Sequence, residues 1–194
     1  MKRIRLQISG LSSHFQDRTS VFVVILDADG FDKKMPIRIG ETEAQAIAVH
    51  TEGIEIARPL THELLVDVIM SLGAEIVEIE IYKLEQEIFY TKLLLEQTDG
   101  EQVEVECRAS DALTIAAIID CPIYAQEEVL LAASVDALHI DAFLHEYDAK
   151  DQFYGMGVGD LEKRLQKAVK VEDYEMAANI RDRIKAIKQQ EENS

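Results

Sequence analysis

A short block of this chain occurs twice. Arg38-Ile39-Gly40-Glu41-Thr42-Glu43-Ala44 falls over Glu106-Cys107-Arg108-Ala109-Ser110-Asp111-Ala112 when the chain is offset by 68 residues. In each copy an alternating run ends and an apolar helical pattern begins, with Glu43 or Asp111 in the expected first turn. Two copies are too few for a solenoid, in which neighbouring repeats bury one another. They point to an α+β domain of two strand-strand-strand-helix units that share one mixed or antiparallel sheet system.

The local patterns supply the elements. Ile4, Leu6 and Ile8 alternate with Arg3, Arg5 and Gln7 over residues 2–9, the signature of a half-buried strand. Residues 20–27 read as a more fully buried strand and residues 34–39 as a third, closed by Gly40. Thr42 with Gln45 fits a capping box for a helix ending at Gly53. Thr61 caps a second helix with Leu64, Leu65, Val68, Ile69 and Leu72 on one face, ended by Gly73. In the second half, Val77, Ile79 and Ile81 alternate with Glu78 and Glu80, and residues 88–96 form a longer strand. Asp99-Gly100 is a hairpin turn signal; Val103, Val105 and Cys107 alternate after it; Ser110 caps an apolar helix over 112–119.

Past residue 134 the pattern weakens. Residues 135–159, with Gly155, Gly157 and Gly159, read as a linker with one short helix near 138–147. Beyond it, Leu161, Leu165, Ala168 and Val169 mark one helical face, and Tyr174, Ala177, Ile180, Ile184 and Ile187 another. Two helices joined near residues 171–173 make an αα-hairpin. Its stripe is too short to stand alone, so residues 160–194 read as a docking module for a protein partner.

Charge bears on partners. The chain has 194 residues and a formal charge of −17, yet residues 161–188 carry eight Lys and Arg against five Asp and Glu. The remainder is therefore more acidic still, and such a body repels polyanions at long range. At 47% hydrophobic and 29% charged the composition is that of a folded chain. The longest apolar run, residues 21–26, is strand length, well short of the ~18–20 residues of a membrane span. The basic start is not followed by a signal-type apolar stretch. Cys107 and Cys121 have no CxxC spacing, so neither a disulfide framework nor a zinc site is indicated. These features lead us to expect a cytoplasmic protein without a membrane segment.

Four blocks carry a family resemblance. Residues 35–48 (Met35-Pro36-Ile37-Arg38-Ile39-Gly40-Glu41-Thr42-Glu43-Ala44-Gln45-Ala46-Ile47-Ala48), Arg58-Pro59-Leu60-Thr61-His62-Glu63-Leu64, Arg108-Ala109-Ser110-Asp111-Ala112 and Ala125-Gln126-Glu127-Glu128-Val129 stand in order and together resemble the bifunctional nuclease family. The resemblance covers most of residues 1–134, with Ala109 where the family usually has proline. It implies hydrolysis of both RNA and DNA. The tail, residues 168–184, looks like the UVR motif of excision-repair nuclease subunits, a helical hairpin that pairs with another copy of itself. That likeness implies a protein contact through Tyr174, Ala177, Ile180, Arg181 and Ile184.

Glu43 and Asp111 hold equivalent places in the two halves. If a local two-fold relates those halves, the carboxylates converge, with Arg38 and Arg108 behind them to hold a phosphate. Paired carboxylates are what a Mg²⁺ or Mn²⁺ site needs for phosphodiester hydrolysis. Acidic residues also favour a helix's first turn through the macrodipole alone. His62, at the expected start of a helix, is a candidate general base, and equally an ordinary helix-start residue. Glu78, Glu80, Glu104 and Glu106 read as a solvated strand face, with a metal comb as the competing reading.

The expectation is a metal-assisted nuclease of low sequence specificity on RNA or DNA, with Glu43, His62 and Asp111 catalytic, Glu43 and Asp111 as metal ligands, and Arg38 and Arg108 on substrate. The alternative is a non-enzymatic adaptor whose acidic domain binds a ligand or protein while the tail docks a partner. Self-association is expected in either case, because apolar surface is left seeking cover.

Overall fold

A computed structural model describes residues 2–16, 19–140, 144, 158–171 and 173–192. The chain divides into two compact units, residues 1–145 and 146–194.

The first unit is built on one eight-stranded sheet. In chain order its elements are β1 (Arg3–Gln16), β2 (Thr19–Ala28), β3 (Lys33–Ile39), α1 (Glu41–Thr51), α2 (Thr61–Ser71), β4 (Ala74–Glu85), β5 (Ile88–Gln97), β6 (Gln102–Arg108), α3 (Ala109–Ile119), β7 (Ile123–Gln126), α4 (Glu127–Ala133) and β8 (Val135–Asp136), then a single 3-10 turn at Ala137–His139. The strand order is β6-β5-β4-β7-β1-β2-β3-β8. Two antiparallel meanders, β1-β2-β3 and β4-β5-β6, flank β7, which runs antiparallel to β1 and parallel to β4. Strand order alone does not make the halves copies, and β7 and β8 fall outside both meanders.

Alternation explains the core. Val24, Leu26, Met35, Ile37, Ile79, Ile81, Leu93 and Leu95 face Ala44 and Ile47 of α1, Leu113 and Ile115 of α3, and Leu130 of α4 in one buried cluster. The continuous run in β2 is apolar on both sides because the second face is also covered: Val21 and Val23 pack under Ile140 and Leu144.

The structure departs from the sequence expectations at four places. β1 is longer than residues 2–9, since a bulge between Ile8 and Gly10 lets its pairing with β2 continue to Gln16. In β4 a bulge between Ile76 and Glu78 shifts the phase, so Val77 is exposed while Ile76 joins Ile79 and Ile81 on the core side. Thr42, Thr61 and Ser110 are not helix caps. The strands and loops run straight into the helices, the caps are Gly40, Leu60 and Arg108, and the hydroxyl residues fall inside the first turn. Finally, Leu64, Leu65, Val68 and Leu72 of the α2 stripe face outward; His62 and Val66 are the buried residues of that helix.

Residues 135–136 pair with Lys34 and Lys33 of β3. The short helix expected near 138–147 lies largely outside the described residues. In the second unit, α5 (Val158–Lys170) and α6 (Tyr174–Glu192) form the helical hairpin, with Leu161, Ala168, Ala177, Ile180 and Ile184 buried between them. Among the described residues no helix is long and apolar enough to cross a membrane.

Candidate functional site

Three helices of the first unit begin at one locus. Gly40 (φ −77°, ψ 166°), Leu60 (φ −73°, ψ 173°) and Arg108 (φ −70°, ψ 147°) are all extended, and each leads directly into the first turn of α1, α2 or α3. Those first turns carry Glu43, His62 and Asp111. Helix starts expose unpaired N–H groups and the positive end of the macrodipole, so carboxylates are favoured there. Here they are also brought together.

Arg108 is the hub. Its Nε donates to Asp111 Oδ2 at 2.8 Å, and its Nη2 donates to Asp111 Oδ1 at 2.9 Å and Glu43 Oε1 at 3.1 Å. The contact to Asp111 is bidentate, the strong geometry for a guanidinium and a carboxylate. Burial by itself raises the Asp111 pKa, but hydrogen bonds from Arg108 and His62 and the charge of Arg108 outweigh it, leaving the carboxyl below its ordinary value. The hydrogen bond to Asp111 holds the Arg108 guanidinium charged. Its side chain is nonetheless 72% exposed, whereas Glu43 is buried.

His62 completes the cluster from α2. Its Nε2 lies 3.1 Å from Asp111 Oδ1. An ionised carboxylate only accepts, so the neutral imidazole carries its proton on Nε2 and leaves a lone pair on Nδ1. That Nδ1 is buried with no hydrogen-bond partner among the described residues, in a residue that is 8% exposed. An unpaired buried polar atom costs about 1–3 kcal/mol, which makes it a feature to be explained by chemistry.

Two supports were not among the residues singled out from sequence. A Cβ placed on Gly40 would overlap Glu43 Oε2, so the Glu43 carboxylate folds back over the Gly40 backbone and would have to move aside for any larger residue. The signal was a glycine three residues before the acid, read only as a strand end. His50, in the last turn of α1, sits 2.7 Å from Glu63 Oε1, while the Leu60 N–H donates to Glu63 Oε2 at 2.5 Å. Glu63 thus ties the start of α2 to the end of α1. A pairing across 13 residues leaves no local sequence trace.

Other expected residues are placed elsewhere. Arg38 pairs with Val23 in the sheet register and alternates with the buried Ile37 and Ile39, so it stands on the face away from the helices that carry the cluster. A position behind both carboxylates is therefore corrected for Arg38 and kept for Arg108. As arranged, Glu43 and Asp111 do not fit a divalent ion. Both Asp111 oxygens and one Glu43 oxygen are already engaged by Arg108, and a cation has to compete with that guanidinium. Among the described residues no group of three His, Cys, Asp or Glu is placed to hold a metal.

The expected glutamate face is solvated at Glu104 and Glu106, which are exposed, whereas Glu78 is half-buried and Glu80 buried, each in an ion pair. Arg3 bonds Glu78 at 2.5 Å, Lys92 joins Glu80 at 3.2 Å and Glu104 at 2.7 Å, and the Tyr82 hydroxyl donates to Glu106. Burial pushes the thiols of Cys107 and Cys121 up to about 11, which leaves both inert at neutral pH. In the hairpin, Ala177, Ile180 and Ile184 are buried against α5, whereas Tyr174 and Arg181 are exposed. Packing within the hairpin thus accounts for three of the five residues expected to meet a partner.

Comparison with known proteins gives two family matches in the same order. Residues 23–137 match the model described as the bifunctional nuclease domain, and residues 158–190 match the UvrB/uvrC motif. Two relatives, both described as uncharacterized proteins of Mycobacterium tuberculosis, one from strain CDC 1551 and one from a second strain, are each 37% identical over 120 residues. That covers 62% of this chain and 70% of each relative.

Proposed function

The chain belongs to the bifunctional nuclease domain family, and from that premise we propose that it cleaves phosphodiester bonds in RNA or DNA, with low sequence specificity, at the Glu43–His62–Arg108–Asp111 cluster. The observation that carries this reading is the convergence of three first-turn side chains, from three different helices, on one exposed arginine.

In this mechanism Arg108 receives the phosphate. Asp111 and Glu43 fix its guanidinium, and its exposure leaves a face for a phosphate oxygen. Asp111 holds His62 in the tautomer whose Nδ1 lone pair is free to take a proton from the attacking water. The water oxygen bonds to phosphorus, the ester P–O bond breaks, and the proton passes to the leaving oxygen. Because Nδ1 is enclosed, the reaction requires α2 to shift enough to admit that water. No step is routed through a metal.

The acidity of the body supports a second reading. A chain at −17, with its one clustered arginine already paired, is poorly suited to attract a polyanion, and that favours an adaptor that binds a ligand or protein. The test is degradation of labelled single-stranded RNA and DNA with Mg²⁺, with Mn²⁺ and with chelator, beside a folded Glu43→Ala, Asp111→Ala double variant. Cutting lost in the variant supports the enzyme and its site. Equal cutting by both assigns the activity to a contaminant or another site. No cutting under any condition favours the adaptor. The hairpin, under either reading, docks a protein.

A further inference from the structure

We infer that a cavity at the carboxyl ends of α1 and α3 binds a small zwitterion of the α-amino-acid class, its ammonium held by Asp29 and Asp120 and its carboxylate by Arg5. The cavity has a volume of about 390 Å³, within the range of small-molecule sites. It exists because β7 is short. That strand pairs with β1 only from Arg3 to Leu6, so on that side Gln7 and Ile8 line the cavity, beside the turn at Cys121 and Pro122, instead of meeting a neighbour in the sheet. The Glu43–Asp111 cluster lies at the amino ends of the same two helices, so this is a separate place.

The charges in the cavity wall are of both signs and uncommitted. The Arg5 carbonyl accepts the Asp29 N–H at 3.0 Å, one step beyond the pairing of Leu6 with Ala28, so the two side chains are cross-strand neighbours on one face. Opposite charges so placed are well set to pair. Among the described residues, however, neither side chain has an ion-pair or hydrogen-bond partner, and nor does that of Asp120. Asp120 ends α3 at φ 52°, and no backbone N–H beyond that helix returns to its last turn, as one does in α1, α2 and α4. Carbonyls at that end are left open where Ala116 and Ala117 line the cavity. Two helix carboxyl ends, each the negative end of a macrodipole, and two unpaired carboxylates call for a cation. Arg5 calls for an anion beside it. A ligand carrying both has no net charge and is not repelled by a chain at −17. Cys121, in the wall, is held protonated by its burial, so the site suits binding and not covalent chemistry. This inference does not rest on the nuclease reading.

The test is ligand-observed NMR on the full chain with each of the twenty standard L-amino acids. The one that binds most tightly is then titrated calorimetrically, with a Kd expected at about 0.01–1 mM. Its decarboxylated amine and its deaminated acid, titrated beside it, are each expected to bind at least about tenfold more weakly. Arg5→Gln and Asp120→Asn, each a change at an exposed side chain and the second in a residue that keeps the left-handed backbone, are expected to weaken binding about tenfold, with dichroism checking that both are folded. An amine that binds as tightly as the amino acid overturns the inference and leaves a plain cation site. Unchanged affinity in either folded variant overturns it too, because the ligand then sits elsewhere. Absence of binding by all twenty overturns it outright.

Discussion

The two strand-to-helix corners of the first unit stand at equivalent positions and do opposite work. At the β3–α1 corner the capping residue is Gly40, and the acid three residues on is Glu43; at the β6–α3 corner the same positions hold Arg108 and Asp111. Both caps are extended, with φ of −77° and −70°, so the backbone does not distinguish them. The side chains do. Glycine clears a seat for one carboxylate, and arginine supplies the cation that grips both. The site thus rests on two corners of similar backbone and unequal side chains. The offset seen in the sequence set Glu43 over Asp111 and Gly40 over Arg108, and the unequal work of the two corners lies in that second pair.

Breaking the arginine corner is expected to do most damage. Arg108→Ala leaves two neighbouring carboxylates without the cation between them, and we expect a loss of about 2–4 kcal/mol in urea unfolding together with loss of any cleavage. Filling the glycine corner comes next. Gly40→Ala drives a methyl group into Glu43 and is expected to cost about 1–3 kcal/mol. Adding Glu43→Ala removes the obstacle, so the double variant should be more stable than the sum of the two single changes predicts.

Acid titration sharpens the same contrast. The native Asp111 pKa lies below the ordinary 3.8, so ionised Asp111 stabilises the fold above that value, and the contribution disappears as pH falls through the lowered native pKa. Denaturation of wild type and Asp111→Asn should differ by a constant amount above about pH 5 and converge below pH 3.8. The smallest effect belongs to Arg38→Ala, on the far sheet face. Cleavage, measured as before, should change less than twofold.

Legibility followed the range of the interaction. Strands declared themselves by alternation, and Gly73 and Gly100, with φ of 80° and 84°, marked their turns. The β4–β5 turn left no such mark, because Gln86 and Glu87 adopt positive φ there without a glycine. Helix starts were displaced by one or two residues, since Thr42, Thr61 and Ser110 look like caps wherever they stand near a boundary. Periodicity located the α2 stripe but could not say which way it faces, because an outward stripe and an inward one have the same spacing. His62 was legible from its place at a helix start. The seat at Gly40 and the His50–Glu63 tie were not, because each exists only once the chain has brought distant groups into contact.

In the sheet, the four residues of β7 are the strand that joins the two meanders, pairing with β1 on one side and β4 on the other. A chain emerging from the ribosome makes β1-β2-β3 early and β4-β5-β6 later, but the sheet is not continuous until Ile123–Gln126 has been made. Until then both inner strands are open edges, able to recruit the wrong neighbour. The order of synthesis thus sets a waiting period that ends when one short strand, delivered late, closes the gap.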